Sequence, residues 1–99
     1  MDVNNQGASG KQRLIARFEG RVQGVGFRYT VLEIAGRTGV TGYVSNLMDG
    51  DVELVAEGAG DQLREILTGI QHSHLGRFIL RVYQEWSPAT GEFAAFSIR

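Results

Sequence analysis

Gly20-Arg21-Val22-Gln23-Gly24-Val25-Gly26-Phe27-Arg28 stands between two different patterns. Before it the chain alternates: Leu14, Ala16 and Phe18 point one way, while Arg13, Ile15, Arg17 and Glu19 point the other, as in a strand with one buried face. After it Phe27, Val31, Ile34 and Ala35 recur at the spacing of an amphipathic helix, which Gly39 is placed to close. A glycine-rich turn from strand to helix lets successive backbone N–H groups converge on one point. The helix adds its positive end, and Arg28 adds a planar fork of donors suited to phosphoryl oxygens. The layout predicts an anion cradle built on the backbone of Val22, Gln23, Gly24, Val25, Gly26, Phe27 and Arg28. Such turns also serve packing alone. This one lacks the Gly-Lys-Ser/Thr end of the P-loop and the spacing of the dinucleotide fingerprint.

Outward from the cradle, Val40 to Leu47 reads as a second strand, Asp49-Gly50 as a tight hairpin turn, and Asp51 to Glu57 as a third strand burying Val52, Leu54 and Ala56. Gly58 to Gly60 break that pattern. Asp61 then starts a second helix whose apolar stripe is Leu63, Ile66, Leu67 and Ile70, with Gln62, Arg64 and Glu65 outside. His72 and His74 lie at its exit without a third ligand in view, so a solvated turn is expected there and no metal site. Arg77 to Trp86 makes a fourth strand, with Phe78, Leu80 and Val82 inward and Arg77, Ile79, Arg81 and Tyr83 outward. Ser87 to Gly91 forms a loop and Phe93 to Ile98 a short last strand. Trp86 has the stacking surface for a ligand, but packing is its ordinary role.

The resulting order predicts an α+β, ferredoxin-like βαββαβ sandwich: an antiparallel sheet, two helices on one face, and a short extra C-terminal strand. The other sheet face is expected to be open and solvated.

With 99 residues there is room for one two-layer core. Residues 1–10 are polar and read as a flexible tail, leaving 11–99 as a single domain. Ten basic against eleven acidic residues give no bulk attraction to nucleic acid or an anionic membrane. Cysteine is missing from the composition, which excludes disulfides, thiolate metal sites and a cysteine nucleophile. No apolar run nears the roughly 20 residues that span a bilayer. A cytoplasmic monomer is the expectation.

The string Gly20 to Arg28 closely resembles the first signature of the acylphosphatases. Their second signature, Gly-aromatic-Val-x-Asn with Asp-Gly-x-Val-Glu and a later glycine, is matched by Gly42-Tyr43-Val44-Ser45-Asn46-Leu47-Met48-Asp49-Gly50-Asp51-Val52-Glu53 and Gly58. The motifs cover roughly residues 13 to 58. The resemblance implies hydrolysis of acyl phosphates to a carboxylate and inorganic phosphate, without metal or other cofactor. It makes Arg28 the phosphate ligand and Asn46 the group that positions the attacking water. An asparagine near a turn is otherwise more often a turn-former. The implied partners are a small acyl phosphate and inorganic phosphate, as product or inhibitor, with no nucleic acid or membrane. Two departures bear on substrate range: Ser45 replaces a longer side chain, and His72 to Arg77 replaces a Gly-Pro-containing connection.

Three other readings stand beside this one. Carbamoyl-phosphate-handling domains of hydrogenase-maturation proteins follow the cradle arginine with proline, where this chain has Tyr29. An RNA-binding ferredoxin-like module would place aromatics on its open face. Here that face is expected to carry Arg13, Ile15, Arg17, Glu19, Glu53, Val55, Glu57, Ile79 and Arg81. An inactive anion-binding relative is the third, against which the presence of both Arg28 and Asn46 argues.

Overall fold

Alternation from Leu14 to Phe18 is realised in β1 (Lys11–Gly20), an interior strand of a five-stranded sheet. The computed structural model describes residues 10–99, so the tail expected over 1–10 lies, Gly10 apart, outside the described residues. The chain continues through α1 (Phe27–Thr38), β2 (Thr41–Asn46), β3 (Val52–Ala59), α2 (Gly60–His72), a 3₁₀ turn (His74–Phe78), β4 (Ile79–Pro88) and β5 (Phe96–Ile98). Strand order is β4-β1-β3-β2-β5. Both neighbours of β1 run antiparallel to it, and β2 runs antiparallel to β3. The fold is the expected ferredoxin-like α+β plan.

One edge of the sheet departs from strict antiparallel pairing, because β5 lies parallel to β2. Connectivity dictates this. β4 descends beside β1 and ends where β1 and β2 begin; a segment crossing that end of the sheet to the outer side of β2 enters in the β2 direction.

The core lies between the sheet and the helices. Leu14, Ala16 and Phe18 of β1 and Val52, Leu54 and Ala56 of β3 meet Phe27, Val31, Ile34 and Ala35 of α1 and Leu63, Ile66, Leu67 and Ile70 of α2. These are the residues singled out by period in each element, so the local patterns and the packing agree. Among the described residues no helix is long and apolar enough to cross a membrane.

Several expectations need correction. β3 does not stop at Glu57; Gly58 and Ala59 pair with Gln12 and Lys11, and α2 begins at Gly60 rather than Asp61. Gln62, expected outside, bends back to accept the Ala59 N–H at 2.9 Å and donates to the Thr38 carbonyl at 2.9 Å, tying the start of α2 to the end of α1. The hairpin turn is wider than Asp49-Gly50, being closed by Gly50 N–H to the Leu47 carbonyl and Leu47 N–H to the Asp51 carbonyl.

In β4 the register shifts where Gly20 pairs with Ile79 and Glu19 with Arg81, so Leu80 is an extra residue. Ile79 and Val82 pack on the core, while Leu80 is 84% exposed rather than inward. The residues before it, Arg77 and Phe78, belong to the 3₁₀ turn. Finally, the second sheet face is not uniformly wet. The segment between β4 and β5 runs over it, and Val55 and Glu57 are only 3% and 4% exposed. Thr90 and Gly91 of that segment bond the Glu57 carboxylate, and the Phe93 ring meets Tyr43 edge-on at 5.9 Å.

Candidate active site

Both ends of the Gly20–Arg28 loop are anchored by apolar side chains. Val22 is fully buried, and Phe27, the first residue of α1, sets its ring 5.1 Å from that of Phe18. Between them Gly24 and Gly26 adopt φ of 81° and 78°, the left-handed region that side chains disfavour. An added Cβ at either glycine would meet no heavy atom within 4 Å, so the backbone there faces open space rather than packed protein. Gly26 is also the N-cap of α1, with no side chain bonded to the helix end. The helix start therefore keeps its positive end directed outward.

That open space is a cavity of about 180 Å³ lined by Val22, Gly24, Gly26, Phe27, Arg28, Tyr29 and Asn46. Two segments eighteen positions apart in sequence meet in it. Asn46 is the last residue of β2, paired in register with Val52, and the sheet carries it to the cradle. Arg28 lies in the first turn of α1, and its Nη1 donates to the Arg99 backbone oxygen at 3.1 Å. The Arg99 guanidinium in turn lies 4.0 Å from the centre of the Tyr43 ring.

Two residues of the expected cradle do not line the cavity with their side chains. Val25 turns inward and packs against the core. Gln23 sends its amide away, to the carbonyls of Leu47 and Asp51 at 2.8 and 2.9 Å. The same turn is held from its other side by Arg17, which pairs with Asp49 and, at 2.6 Å, with Asp51. Neither contact was expected from the sequence, since backbone carbonyls leave no mark on it and Arg17 read as an ordinary outward arginine.

A larger depression, about 580 Å³, lies on the opposite sheet face among Ile15, Arg17, Glu19, Glu53, Tyr83 and Glu85. It has no converging backbone donors, and its one arginine is committed to Asp49 and Asp51. Size therefore does not select the site; donor chemistry does. Trp86, on β4, pairs with Leu14 of β1, far along the sheet from the cradle, and lines neither space. Tyr43, beneath Phe93 and beside Arg99, has its hydroxyl pKa raised by burial and by the charge of Glu53. Among the described residues no group of three or more His, Cys, Asp or Glu side chains is placed to hold a metal ion.

Comparison with known proteins bears on what such a cavity does. The Acylphosphatase family model matches residues 14–98. An acylphosphatase of Acidothermus cellulolyticus is 43% identical over 88 residues, covering 86% of this chain and 84% of the relative. The crystal structure of acylphosphatase from Bacillus subtilis superposes with a TM-score of 0.82 at 30% identity, over 89% of this chain and 98% of that one. Full-length HypF in its phosphate- and nucleotide-bound form gives a TM-score of 0.79 at 23% identity, a likeness of fold alone, and this chain spans only 12% of its length.

Proposed function

This chain belongs to the acylphosphatase family, and from that membership we propose how its own residues divide the hydrolysis of an acyl phosphate. The cradle binds the phosphoryl group. Backbone N–H groups from Val22 to Arg28, the positive end of α1 and the Arg28 guanidinium supply donors to its oxygens. They hold it more strongly as charge redistributes in the transition state. Asn46 offers a carbonyl acceptor and two amide donors without changing charge, and so fixes a water opposite the departing group.

The bond that forms joins this water oxygen to phosphorus. The bond that breaks joins phosphorus to the acyl oxygen, which leaves with its electron pair as a carboxylate. Because that leaving group is already a stable anion, no strong general acid is called for, and positioning with charge stabilisation carries the step. The proton lost by water goes to the phosphate product or to solvent. Substrates in this reading are small acyl phosphates, and inorganic phosphate competes for the cradle.

The observation that carries the proposal is the shared cavity of Gly24, Gly26, Arg28 and Asn46. Its test is hydrolysis of a simple aromatic acyl phosphate in a chelator, comparing wild type, Arg28→Ala and Asn46→Ala. Arg28→Ala should lose about 10³-fold in turnover and weaken inhibition by phosphate together. Asn46→Ala should lose about 10²-fold or more while phosphate inhibition stays near wild type. Full activity in Asn46→Ala, or undiminished phosphate affinity in Arg28→Ala, contradicts the role concerned.

A further inference from the structure

We infer that the Gln23 side chain is a positioning residue for this reaction: it locks the Asn46 strand end to the phosphate cradle. The inference rests on the division of labour proposed above and adds a residue to it. Gln23 contributes its backbone to the cradle, yet its side chain leaves the cavity. Nε2 spends both of its protons on the Leu47 and Asp51 carbonyls, at 2.8 and 2.9 Å. Leu47 directly follows Asn46. The two carbonyls are also the acceptors that close the hairpin turn, for Gly50 N–H and Leu47 N–H.

One amide therefore spans the gap between the loop that holds phosphorus and the turn that ends the Asn46 strand. Arg17 restrains the turn from its far side through Asp49 and Asp51, but touches nothing in the cradle. Among the described residues Gln23 makes the direct hydrogen-bonded link between the two halves of the site. The other route is indirect, from Arg28 to the Arg99 backbone oxygen and from Arg99 N–H to the Val44 carbonyl, and it reaches β2 ahead of Asn46 rather than the turn beyond it. The chemistry gives that coupling a purpose. In-line attack depends on where the water stands relative to phosphorus, and a displacement of about 1 Å costs on the order of 10²-fold. Asn46 is exposed at the last paired position of β2, opposite Val52, so its distance from the cradle depends on what ties down the turn beyond it as well as on the sheet.

The experiment compares Gln23→Met and Gln23→Glu with wild type in the full chain, reading kcat, KM and inhibition by inorganic phosphate. Methionine keeps the length and loses both donors. The two carbonyls keep their backbone partners, so the turn itself survives. Expected for Gln23→Met is a fall in kcat of roughly 10- to 100-fold, with phosphate inhibition within about twofold of wild type because the cradle backbone is unchanged. Gln23→Glu points a carboxylate at two carbonyls and should be at least as impaired near neutral pH. On acidification it should regain activity relative to wild type, since a protonated carboxyl donates again, whereas Gln23→Met should not.

A wild-type kcat in Gln23→Met overturns the inference. So does a loss of phosphate affinity in step with kcat, which would make Gln23 a support of the cradle alone. Failure of the underlying reading looks different: there Asn46→Ala is fully active, whatever the Gln23 variants do.

Discussion

Replacing Glu57 by glutamine should destabilise the fold by about 3 kcal/mol at neutral pH, and the loss should fade in acid. The carboxylate is 4% exposed and accepts four hydrogen bonds. Oε2 takes Arg13 Nε at 2.8 Å, Thr90 N–H at 2.9 Å and the Thr90 hydroxyl at 3.0 Å, and Oε1 takes Gly91 N–H at 2.9 Å. Burial pushes its pKa up, but the Thr90 N–H, the Arg13 guanidinium, the Gly91 N–H and the Thr90 hydroxyl outweigh burial and hold it down, from 4.5 to about 2. At about 1.4 kcal/mol per pH unit, that depression is worth about 3 kcal/mol once the group is ionised in both states. The sign follows from a folded value below the unfolded one: the stabilisation is complete above the unfolded value and lost as pH falls through the folded value. An amide cannot replace the carboxylate in this nest, because its NH₂ must face either Gly91 N–H or the three donors at the other oxygen. Urea unfolding at an m of roughly 1–2 kcal/mol per M should show a midpoint about 2 M lower for Glu57→Gln at pH 7. By pH 2 to 3 most of that gap should be gone. A gap of the same size at both pH values would refute the reasoning, since the lost interaction would not then be one of charge.

Gly36 is exposed in α1, and an added Cβ there meets nothing within 4 Å; Gly36→Ala should stabilise by about 0.5–1 kcal/mol and raise Tm by several degrees in a calorimetric scan, with activity unchanged. Gly42 is the opposite case. Its φ is 134° and a Cβ would fall 1.9 Å from the Val55 carbonyl oxygen across the β2–β3 pairing, so Gly42→Ala should cost about 3 kcal/mol or more and lower Tm steeply.

Where the fold was legible, the cause was local. Leu14, Ala16 and Phe18 alternate because a strand in this position buries one face, and Val31, Ile34 and Ala35 recur because a helix does. The mistaken residues are those whose environment is made elsewhere. Leu80 sits in phase with the inward set, and only the register shift opposite Gly20 puts it outside. Glu57 alternates outward as a solvated residue should. Its burial comes from Thr90 and Gly91, more than thirty positions later, and no period within β3 could announce them.

The site divides along a similar line. A backbone cradle is visible in sequence because it needs glycines at fixed places: Gly24 and Gly26 take left-handed geometry, and their identity records it. Arg28 and Asn46 are visible because the roles proposed for them belong to their side chains, and a motif stores side-chain identity. Gln23 stands in the same nine-residue stretch, but its partners are two main-chain carbonyls. Any residues at 47 and 51 could supply those carbonyls, so no pattern at the far end marks the contact. The contact has to be read from the turn geometry, which places both acceptors within reach of one amide. A residue proposed to act on catalysis through another residue's backbone is thus hidden inside a motif that names it. For this chain the consequence is specific: the chemistry of the amide, two donors on one nitrogen, matches a turn closed by two carbonyl acceptors within its reach, and neither methionine nor ionised glutamate can reproduce that match.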